Sequence, residues 1–396
     1  MTSLRLALAN LLHERGRTAV SVVGAAFAVV LVFMQLGFLG SVENTATLLY
    51  GKMRFDLLIT STEYIDLSRP GSVDRTRLAQ AESAAGVKEV LPFSMGGGQW
   101  RNPTDDPQRG RKLWQLSMVG IDPGTLDRVF LPPNAGGIFR DDGDQRDAQV
   151  LLGQIDSVLL DRRSKPYFGD PGAMPPGTET ELNGQRVRLA GYFQAGTGFS
   201  YSGLLLANEE TFAKYTGRSK KQVSFGLVTL QPGEDPDEAA RRLRAVLPSD
   251  VQVYTRAEME AGERSYWVNK TAVGKFFYFG VLLAITVGAI FIYQMMVADI
   301  KKHMPEYATL KAMGYRFGFL FRVVLNQALF LALGGYSLGA IAALGLYEVT
   351  ILAAALPIGM TWERVGLVLL LTVGMCVSSA LLAVRKVRTA DPAELF

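Results

Sequence analysis

Residues 18–42 read TAVSVVGAAFAVVLVFMQLGFLGSV, a run of 25 residues that contains no Asp, Glu, Lys or Arg. A helix needs about 20 apolar residues to cross the hydrocarbon core of a bilayer, where its backbone groups must bond within the segment. Three further stretches, residues 276–298, 323–347 and 365–384, also lack charged residues. Four such stretches predict a membrane protein with four transmembrane helices rather than a soluble protein with buried helices.

The first stretch has an alternative interpretation as a cleaved signal peptide, because Arg5, Arg15 and Arg17 precede it. Its apolar run is longer than the roughly 7–15 residues of a signal-peptide core. Residues 37–44 also offer no clear cleavage site between small side chains. We therefore expect this stretch to remain in the protein as the first span.

The distribution of charge predicts the orientation, because Lys and Arg in short segments beside a span stay in the cytoplasm. Residues 1–17, 299–322 and 385–396 together carry eleven basic and five acidic side chains, whereas residues 43–275 carry 29 basic and 30 acidic ones. Both termini are therefore expected in the cytoplasm and residues 43–275 in the periplasm of a bacterial inner membrane. The near-neutral charge of residues 43–275 argues against a nucleic-acid partner.

The expected fold class is a membrane α-helical protein with a large α+β periplasmic domain inserted between the first and second spans. Leu4, Leu8, Leu11 and Leu12 recur at helical spacing and predict an amphipathic elbow helix before the first span. The expected order is the elbow at 1–17, the first span at 18–42, the periplasmic domain at 43–275, the second span at 276–298, a cytoplasmic loop at 299–322, the third span at 323–347, a short periplasmic loop at 348–364, the fourth span at 365–384 and a cytoplasmic tail at 385–396.

Within the periplasmic domain, strand and helix patterns alternate along the chain. Strands are expected at 55–60, 87–91, 113–121, 185–192, 204–206, 223–230 and 251–254, helices at 74–85 and 155–163, and loops at 131–144 and 166–178. Asp235 can cap a helix that begins at Pro236. Residues 96–98 (GGG) are expected to form a turn. No proline interrupts residues 256–303, which predicts one continuous helix of about 70 Å that projects beyond the bilayer as a stalk.

The cytoplasmic loop contains the stretch PEYATLKAMG at residues 305–314. Pro305 suits the first position of a helix, Glu306 and Lys311 match the helix dipole, and Gly314 can end the helix. An apolar side at three-residue spacing comprises Tyr307, Leu310 and Met313. Such a short helix either rests on the membrane or docks into a groove of a cytoplasmic partner.

The 305–314 stretch resembles the loop motif of the FtsX/MacB superfamily of ABC permeases, which share the plan of four spans with a large domain after the first. Other stretches resemble the DevC-type permeases of heterocyst-type glycolipid exporters. They are residues 33–38 (FMQLGF), Tyr293 with Gln294, residues 196–203 (GTGFSYSG) and residues 391–396 (DPAELF). Residues 100–147 contain no segment that matches this family.

The resemblance implies a homodimeric permease bound to two ABC ATP-binding subunits, a periplasmic membrane-fusion adaptor of the HlyD/DevB-like kind and a TolC-like outer-membrane channel. It implies that the 305–314 segment is the helix that couples the permease to the ATPase, and that ATP-driven closure of the partner moves the periplasmic domain by mechanotransmission. ATP and Mg²⁺ would be bound by the partner, so no cofactor is expected in this chain. Two alternatives remain: an FtsX-like signalling subunit that activates a periplasmic partner, and a lipoprotein-releasing permease.

The residues themselves argue against catalysis by this chain. No phosphate-binding loop is present, because Gly274 and Lys275 are followed by Phe276 and lack the upstream glycine. The chain has two histidines and one cysteine, Cys376, which is too few for a His/Cys metal site in one copy.

Uncharged polar residues in the spans are candidates for helix packing, a dimer seam or substrate contact: Gln35, Gln294, Asn326 and Gln327. Gly335 and Gly339 have the spacing that allows two helices to pack closely. The spans contain no carboxylate or lysine that would serve as a proton relay, which argues against a secondary transporter.

Overall fold

The structure is a computed structural model that describes residues 3–13, 15–105, 112–306, 309, 313, 317–354 and 356–388. It forms two compact units: a helical unit made of Met1–Ser41 and Ala272–Phe396, and a second unit made of Val42–Thr271. The helices are α1 (Ser3–His13), α2 (Arg15–Ala46), α3 (Arg75–Glu82), α4 (Leu126–Val129), α5 (Asp142–Leu152), α6 (Glu209–Thr216), α7 (Pro236–Val246), α8 (Arg256–Ser265), α9 (Ala272–Lys302), α10 (Phe317–Ala354) and α11 (Trp362–Arg388).

Four of these helices are long and apolar enough to cross a membrane: α2, α9, most of α10 (Phe321–Ala353) and most of α11 (Trp362–Arg385). The second unit occupies the chain between α2 and α9 and contains both helices and strands. The predicted fold class, four apolar helices with an α+β domain inserted after the first, is therefore confirmed.

A mixed sheet of nine strands forms the framework of the second unit. The strands are β1 (Leu57–Ser61), β2 (Val73–Asp74), β3 (Val87–Arg101), β4 (Leu113–Ile121), β5 (Ser157–Asp161), β6 (Glu179–Leu182), β7 (Gln185–Phe193), β8 (Leu204–Asn208), β9 (Gln222–Val223), β10 (Phe225–Leu230) and β11 (Val251–Thr255). The order in the sheet is β11-β1-β10-β3-β4-β8-β5-β7-β6, and β2 and β9 form a separate pair. The sheet therefore begins with β11 and β1, the two strands nearest in sequence to α8 and α2.

The long strand β3 joins two parts of this sheet. Residues 87–93 of β3 pair with β10, and residues 94–101 pair with β4. Trp100 also pairs with Leu182 of β6. In spatial order, β3, β4, β8, β5, β7 and β6 therefore form a closed ring of strands around a core. Trp100 is fully buried in that core, and its indole Nε1 donates to the carbonyl of Phe168 over 2.9 Å.

Two sequence predictions in the second unit are wrong. Residues 155–163, expected as a helix, contain the strand β5, in which every residue is buried, so its apolar residues follow no helical period. The helix of this region is α5, which begins inside the expected loop at 131–144. Residues 96–98, expected as a turn, pair with β4 in the middle of β3, and their missing side chains make room for neighbours such as Phe212, 3.2 Å from where a Cβ on Gly96 would lie.

The expected continuous helix over 256–303 is also wrong. Helix α8 ends at Ser265, a π-helical turn follows at Tyr266–Lys270, and Thr271 has extended backbone angles before α9 begins at Ala272. The Thr271 hydroxyl donates to the carbonyl of Trp267 over 2.6 Å, which satisfies one of the carbonyls that the break leaves without a helical partner.

Helix starts were easier to predict because caps are local. The carboxylate of Asp235 accepts a hydrogen bond from the backbone of Asp237, with Pro236 at the first helical position, as expected. Asp74 caps α3 in the same way through the backbone of Thr76.

Candidate coupling site and the contacts that position it

Part of the predicted coupling segment, Pro305, Glu306, Thr309 and Met313, lies within the described residues. The Thr309 hydroxyl donates to the carbonyl of Pro305 over 3.0 Å, and the amide of Met313 donates to the carbonyl of Thr309 over 3.0 Å. Both bonds span four residues, as in a helix. The remaining predicted members, Tyr307, Leu310, Lys311 and Gly314, lie outside the described residues.

Two described side chains of this segment are open to solvent. The Glu306 side chain is 62% exposed and the Met313 residue is 63% exposed. Both side chains are therefore accessible to a partner protein, and exposed methionine is common at adaptable binding surfaces.

His303 connects this segment to the end of α9. The histidine is 5% exposed, and its Nδ1 lies 3.1 Å from a carboxylate oxygen of Glu306. Its Nε2 lies 3.9 Å from a carboxylate oxygen of Asp299, one turn back on α9. No role was predicted for His303, although the spacing of Asp299, His303 and Glu306 is that of neighbours on one helix face.

Gly335 and Gly339 form a seam between α10 and α2. A Cβ on Gly335 would lie 2.5 Å from the Cβ of Ala25, and a Cβ on Gly339 would lie 2.8 Å from the carbonyl oxygen of Ala26. Real side chains do not approach so closely, so only glycine fits at both positions. The two glycines pack helices within one chain, and their role in a dimer stays a prediction.

The polar residues predicted within the spans occupy different environments. Gln35 covers Gly280 of α9, where an added Cβ would lie 2.5 Å from the Gln35 Cδ. Gln294 is exposed on α9. The Asn326 amide donates to the Ser3 hydroxyl over 3.3 Å, which ties α10 to α1. The structure therefore does not bring Gln35 and Gln294 together, and a dimer seam through them stays a prediction.

Gln327 is 1% exposed, and neither atom of its amide has a hydrogen-bond partner within the part of the chain that the structure describes. It borders a cavity of about 20 Å³ that Arg17, Ser21 and Asp299 also line. A cavity of this size holds one water molecule, which would satisfy a buried amide.

The side chain of Arg256, at the start of α8, is fixed by the segment that precedes β1. Its guanidinium donates to the carbonyls of Phe55 over 3.1 Å, Tyr50 over 2.9 Å and Met53 over 2.6 Å. The guanidinium carbon also lies 4.0 Å from the centre of the Phe55 ring. Sequence reasoning did not find this residue, because its partners are about 200 positions away in the chain.

Glu263, on α8, is 2% exposed and accepts three hydrogen bonds. The donors are the Tyr64 hydroxyl, the backbone amide of Leu67 over 3.0 Å and the indole of Trp267 over 3.2 Å. Burial raises the pKa of Glu263 to about 7, although the three donors pull it in the opposite direction. The Tyr64 hydroxyl also lies 3.0 Å from that of Tyr50, and burial raises the pKa of both phenols.

The stretch 196–203, which resembles DevC-type sequence, packs on the end of α2. The amide of Phe199 donates to the Thr45 hydroxyl over 3.3 Å, and a Cβ on Gly198 would lie 2.1 Å from the Cβ of Thr45. Buried Asp161 holds the start of the stretch by accepting from the amide of Gly196 over 2.7 Å. Burial raises the pKa of Asp161.

Among the described residues, no group of three or more His, Cys, Asp or Glu side chains has an arrangement that could hold a metal ion.

Comparison with known proteins identifies the family. Residues 18–246 match the MacB-like periplasmic core domain, and residues 278–392 match the FtsX-like permease C-terminal domain. The periplasmic region of MacB from Actinobacillus actinomycetemcomitans is similar at 14% identity with a TM-score of 0.36, over 54% of this chain and 94% of that one. The extracellular domain of the noncanonic ABC-type transporter YknZ from Gram-positive bacteria is similar at 15% identity with a TM-score of 0.35, over 51% of this chain and 99% of that one.

No curated protein matched the chain. The two family matches together extend over both units, from the first apolar helix to residue 392. This family implies an ABC ATPase partner, and the match to its periplasmic core domain includes most of the second unit. The chain therefore belongs to the FtsX-like and MacB-like family of ABC transporter permeases.

Proposed function

We propose that this chain is the non-catalytic permease subunit of an ATP-driven tripartite exporter of the DevC/MacB-like kind. Two copies in a bacterial inner membrane, with cytoplasmic termini, bind two ATP-binding subunits that hold ATP and Mg²⁺. On the other side, the second unit engages a HlyD/DevB-like adaptor that leads to a TolC-like outer-membrane channel. The orientation rests on the excess of Lys and Arg in residues 1–17, 299–322 and 385–396.

The observation that carries the proposal is that Glu306 and Met313 are both exposed in the segment between the second and third apolar helices of a family permease. A partner protein can pair with the carboxylate and cover the apolar side chain at one place. Residues 305–314 therefore act as the coupling helix, and Pro305, Tyr307, Leu310, Lys311 and Gly314 are its other members.

The mechanism is mechanotransmission. Closure of the ATP-binding subunits displaces the coupling helix, and the contact of His303 with Glu306 and Asp299 passes the displacement to α9. Helix α9 leads back to Thr271 and the second unit. Substrate is then expelled by movement of the periplasmic domain.

Isolation of the chain in a mild detergent, followed by mass spectrometry of the proteins that co-purify, tests this assembly. An ATP-binding subunit together with an adaptor supports the exporter. A cell-wall hydrolase without an adaptor would instead indicate a signalling subunit, and acylated protein cargo would indicate lipoprotein release. The absence of any ATP-binding subunit contradicts the proposal.

The coupling helix is tested by Glu306→Lys and Leu310→Lys. Each variant is expected to fold and to permit ATP hydrolysis by the partner. The ATP-dependent change of backbone amide hydrogen exchange in the second unit is expected to be lost. Glu348→Lys is the control, because Glu348 is also exposed but lies at the other end of α10. A full ATP-dependent response in both coupling variants contradicts the assignment.

A further inference from the structure

The second unit is connected to the apolar helices at two places in the chain. Residues 42–56 form the outgoing connection, from the end of α2 to the start of β1, and residues 256–271 form the returning connection, from α8 to the start of α9. Their strands are neighbours, because β1 pairs with β11 in antiparallel register with Leu57 opposite Thr255. The two connections therefore leave the sheet side by side.

Arg256 fastens the returning connection to the outgoing one. Each of its three side-chain hydrogen bonds ends on a backbone carbonyl of residues 50–55. Its own backbone amide donates to the carbonyl of Asp56 over 3.0 Å. Hydrogen bonds from a charged donor are about twice as strong as neutral ones, and backbone acceptors cannot rotate away as side chains do.

Glu263 makes a second fastening two turns further along α8. Its carboxylate holds Tyr64 and the amide of Leu67, both on the loop that follows β1, and Tyr64 reaches Tyr50 of the outgoing connection. Neighbouring Asp66 and Arg69 extend the contact, because the Arg69 guanidinium donates to Asp66 over 2.9 Å and to the Tyr266 hydroxyl over 2.5 Å.

The regular α-helix ends two residues after Glu263, at Ser265. The π-helical turn at Tyr266–Lys270 and the extended Thr271 interrupt the regular helical hydrogen bonds. Such turns are less regular than an α-helix and occur frequently at functional sites. Along the chain, Arg256 and Glu263 therefore precede the break and α9 follows it.

We propose that Arg256 and Glu263 are positioning residues that join the two connections into one mechanical element, which we name the clasp. When α9 is displaced, the sheet then moves as one rigid element, because the clasp holds the outgoing and returning connections together. This inference rests on the proposed function, since it assigns a role in transmission.

The test uses the full chain together with its co-purified ATP-binding subunit in lipid nanodiscs and measures backbone amide hydrogen exchange. The probe is ATP with Mg²⁺ and vanadate, so no substrate is needed. In Arg256→Gln, exchange in residues 50–56 is expected to rise about tenfold without nucleotide, as the local opening free energy falls. The nucleotide-dependent change of exchange in the second unit is expected to disappear, while ATP hydrolysis stays within about twofold of the wild type.

Arg264→Gln is the matched control. Arg264 lies on the same helix, its side chain is 48% exposed, and it bonds Glu260 within that helix over 3.0 Å. This variant is expected to match the wild type in both measurements. Glu263→Gln provides a second test if Arg256→Gln does not fold, and it is expected to shift the same two measurements in the same direction.

The outcomes separate the two proposals. If the wild type shows no nucleotide-dependent change, the proposed function fails whatever the clasp does. If the wild type responds and Arg256→Gln responds equally, with residues 50–56 loosened, the clasp has no role in transmission. Unchanged exchange in residues 50–56 of both folded variants overturns the clasp itself.

Discussion

Each of the two units of this protein is stabilised internally by its own kind of contact. In the helical unit, hydroxyl groups such as those of Thr286 and Thr372 bond carbonyls four residues back in their own helix, and the seams depend on glycine. In the second unit, single side chains such as Arg256 bond backbone groups about 200 positions away. Close packing at glycine therefore helps to specify the first unit beside a few long-range polar contacts, such as that of Asn326 with Ser3, whereas a charged side chain makes such contacts in the second unit.

The largest effect that this comparison predicts is at the seam of α10 and α2. Gly339→Leu places a side chain where a Cβ alone would lie 2.8 Å from the Ala26 carbonyl and 2.7 Å from the Val29 Cβ. Overpacking costs roughly 1–3 kcal/mol and occasionally more, and a backbone clash lies at the upper end of this range. We expect a large fall in the thermal unfolding midpoint of the chain in detergent.

Gly345→Leu provides the control for this substitution. Gly345 lies on the same helix, is exposed, and has no neighbouring atom within 4 Å of where its Cβ would be. It should unfold at the wild-type temperature. Equal unfolding temperatures for the two variants would mean that the seam does not depend on glycine.

The difference between the units also explains what could be predicted from the sequence. The apolar helices need only length and the absence of charge, so residues 18–42 were enough to identify the first one. The cap at Asp235 is local, and it too was predictable. The strand β5 was missed because its apolar run is buried on all sides, and such a run reads equally as a helix.

In the candidate site, too, local patterns could be predicted from the sequence and long-range contacts could not. The pattern of residues 305–314 and the spacing of Gly335 and Gly339 were visible without a structure. The roles of Arg256 and Glu263 were not, because they are set by partners at Tyr50 and Tyr64 that only the sheet brings near. The break at Thr271 was missed because no proline marks it.

The second prediction concerns the buried carboxyl of Glu263, whose pKa is raised by burial from 4.5 to about 7. Because the folded state then binds more protons than the unfolded state between these values, stability should fall as the pH rises through this window. The full shift corresponds to a loss of about 3 kcal/mol, since one pKa unit is about 1.4 kcal/mol. Among the described residues, Tyr50, Tyr64 and Asp66 are titratable groups that interact with this carboxyl.

The measurement is unfolding of the full chain in detergent between about pH 4.5 and pH 7, followed by tryptophan fluorescence. Three of the four tryptophans, Trp100, Trp114 and Trp267, lie in the second unit and report on it. Glu263→Gln should remove this part of the pH dependence. A slope that Glu263→Gln leaves unchanged would assign the effect to another group.

The smallest effect is expected at Gln327, where the helical unit buries an amide with no protein partner among the described residues. Replacing an unsatisfied polar group by an apolar one of similar shape is nearly neutral or stabilising, so Gln327→Met should change the free energy of unfolding by less than about 1 kcal/mol. Gln294→Met, at an exposed position of α9, gives the baseline for the same chemical change. A loss of several kcal/mol in Gln327→Met alone would mean that a water in the adjoining cavity satisfies the amide and joins α10 to Arg17 and Asp299. The helical unit would then depend on a further buried polar contact beside that of the Tyr347 hydroxyl with the Phe33 carbonyl. The difference between the two units would then lie mainly in the glycine seam of α10 and α2.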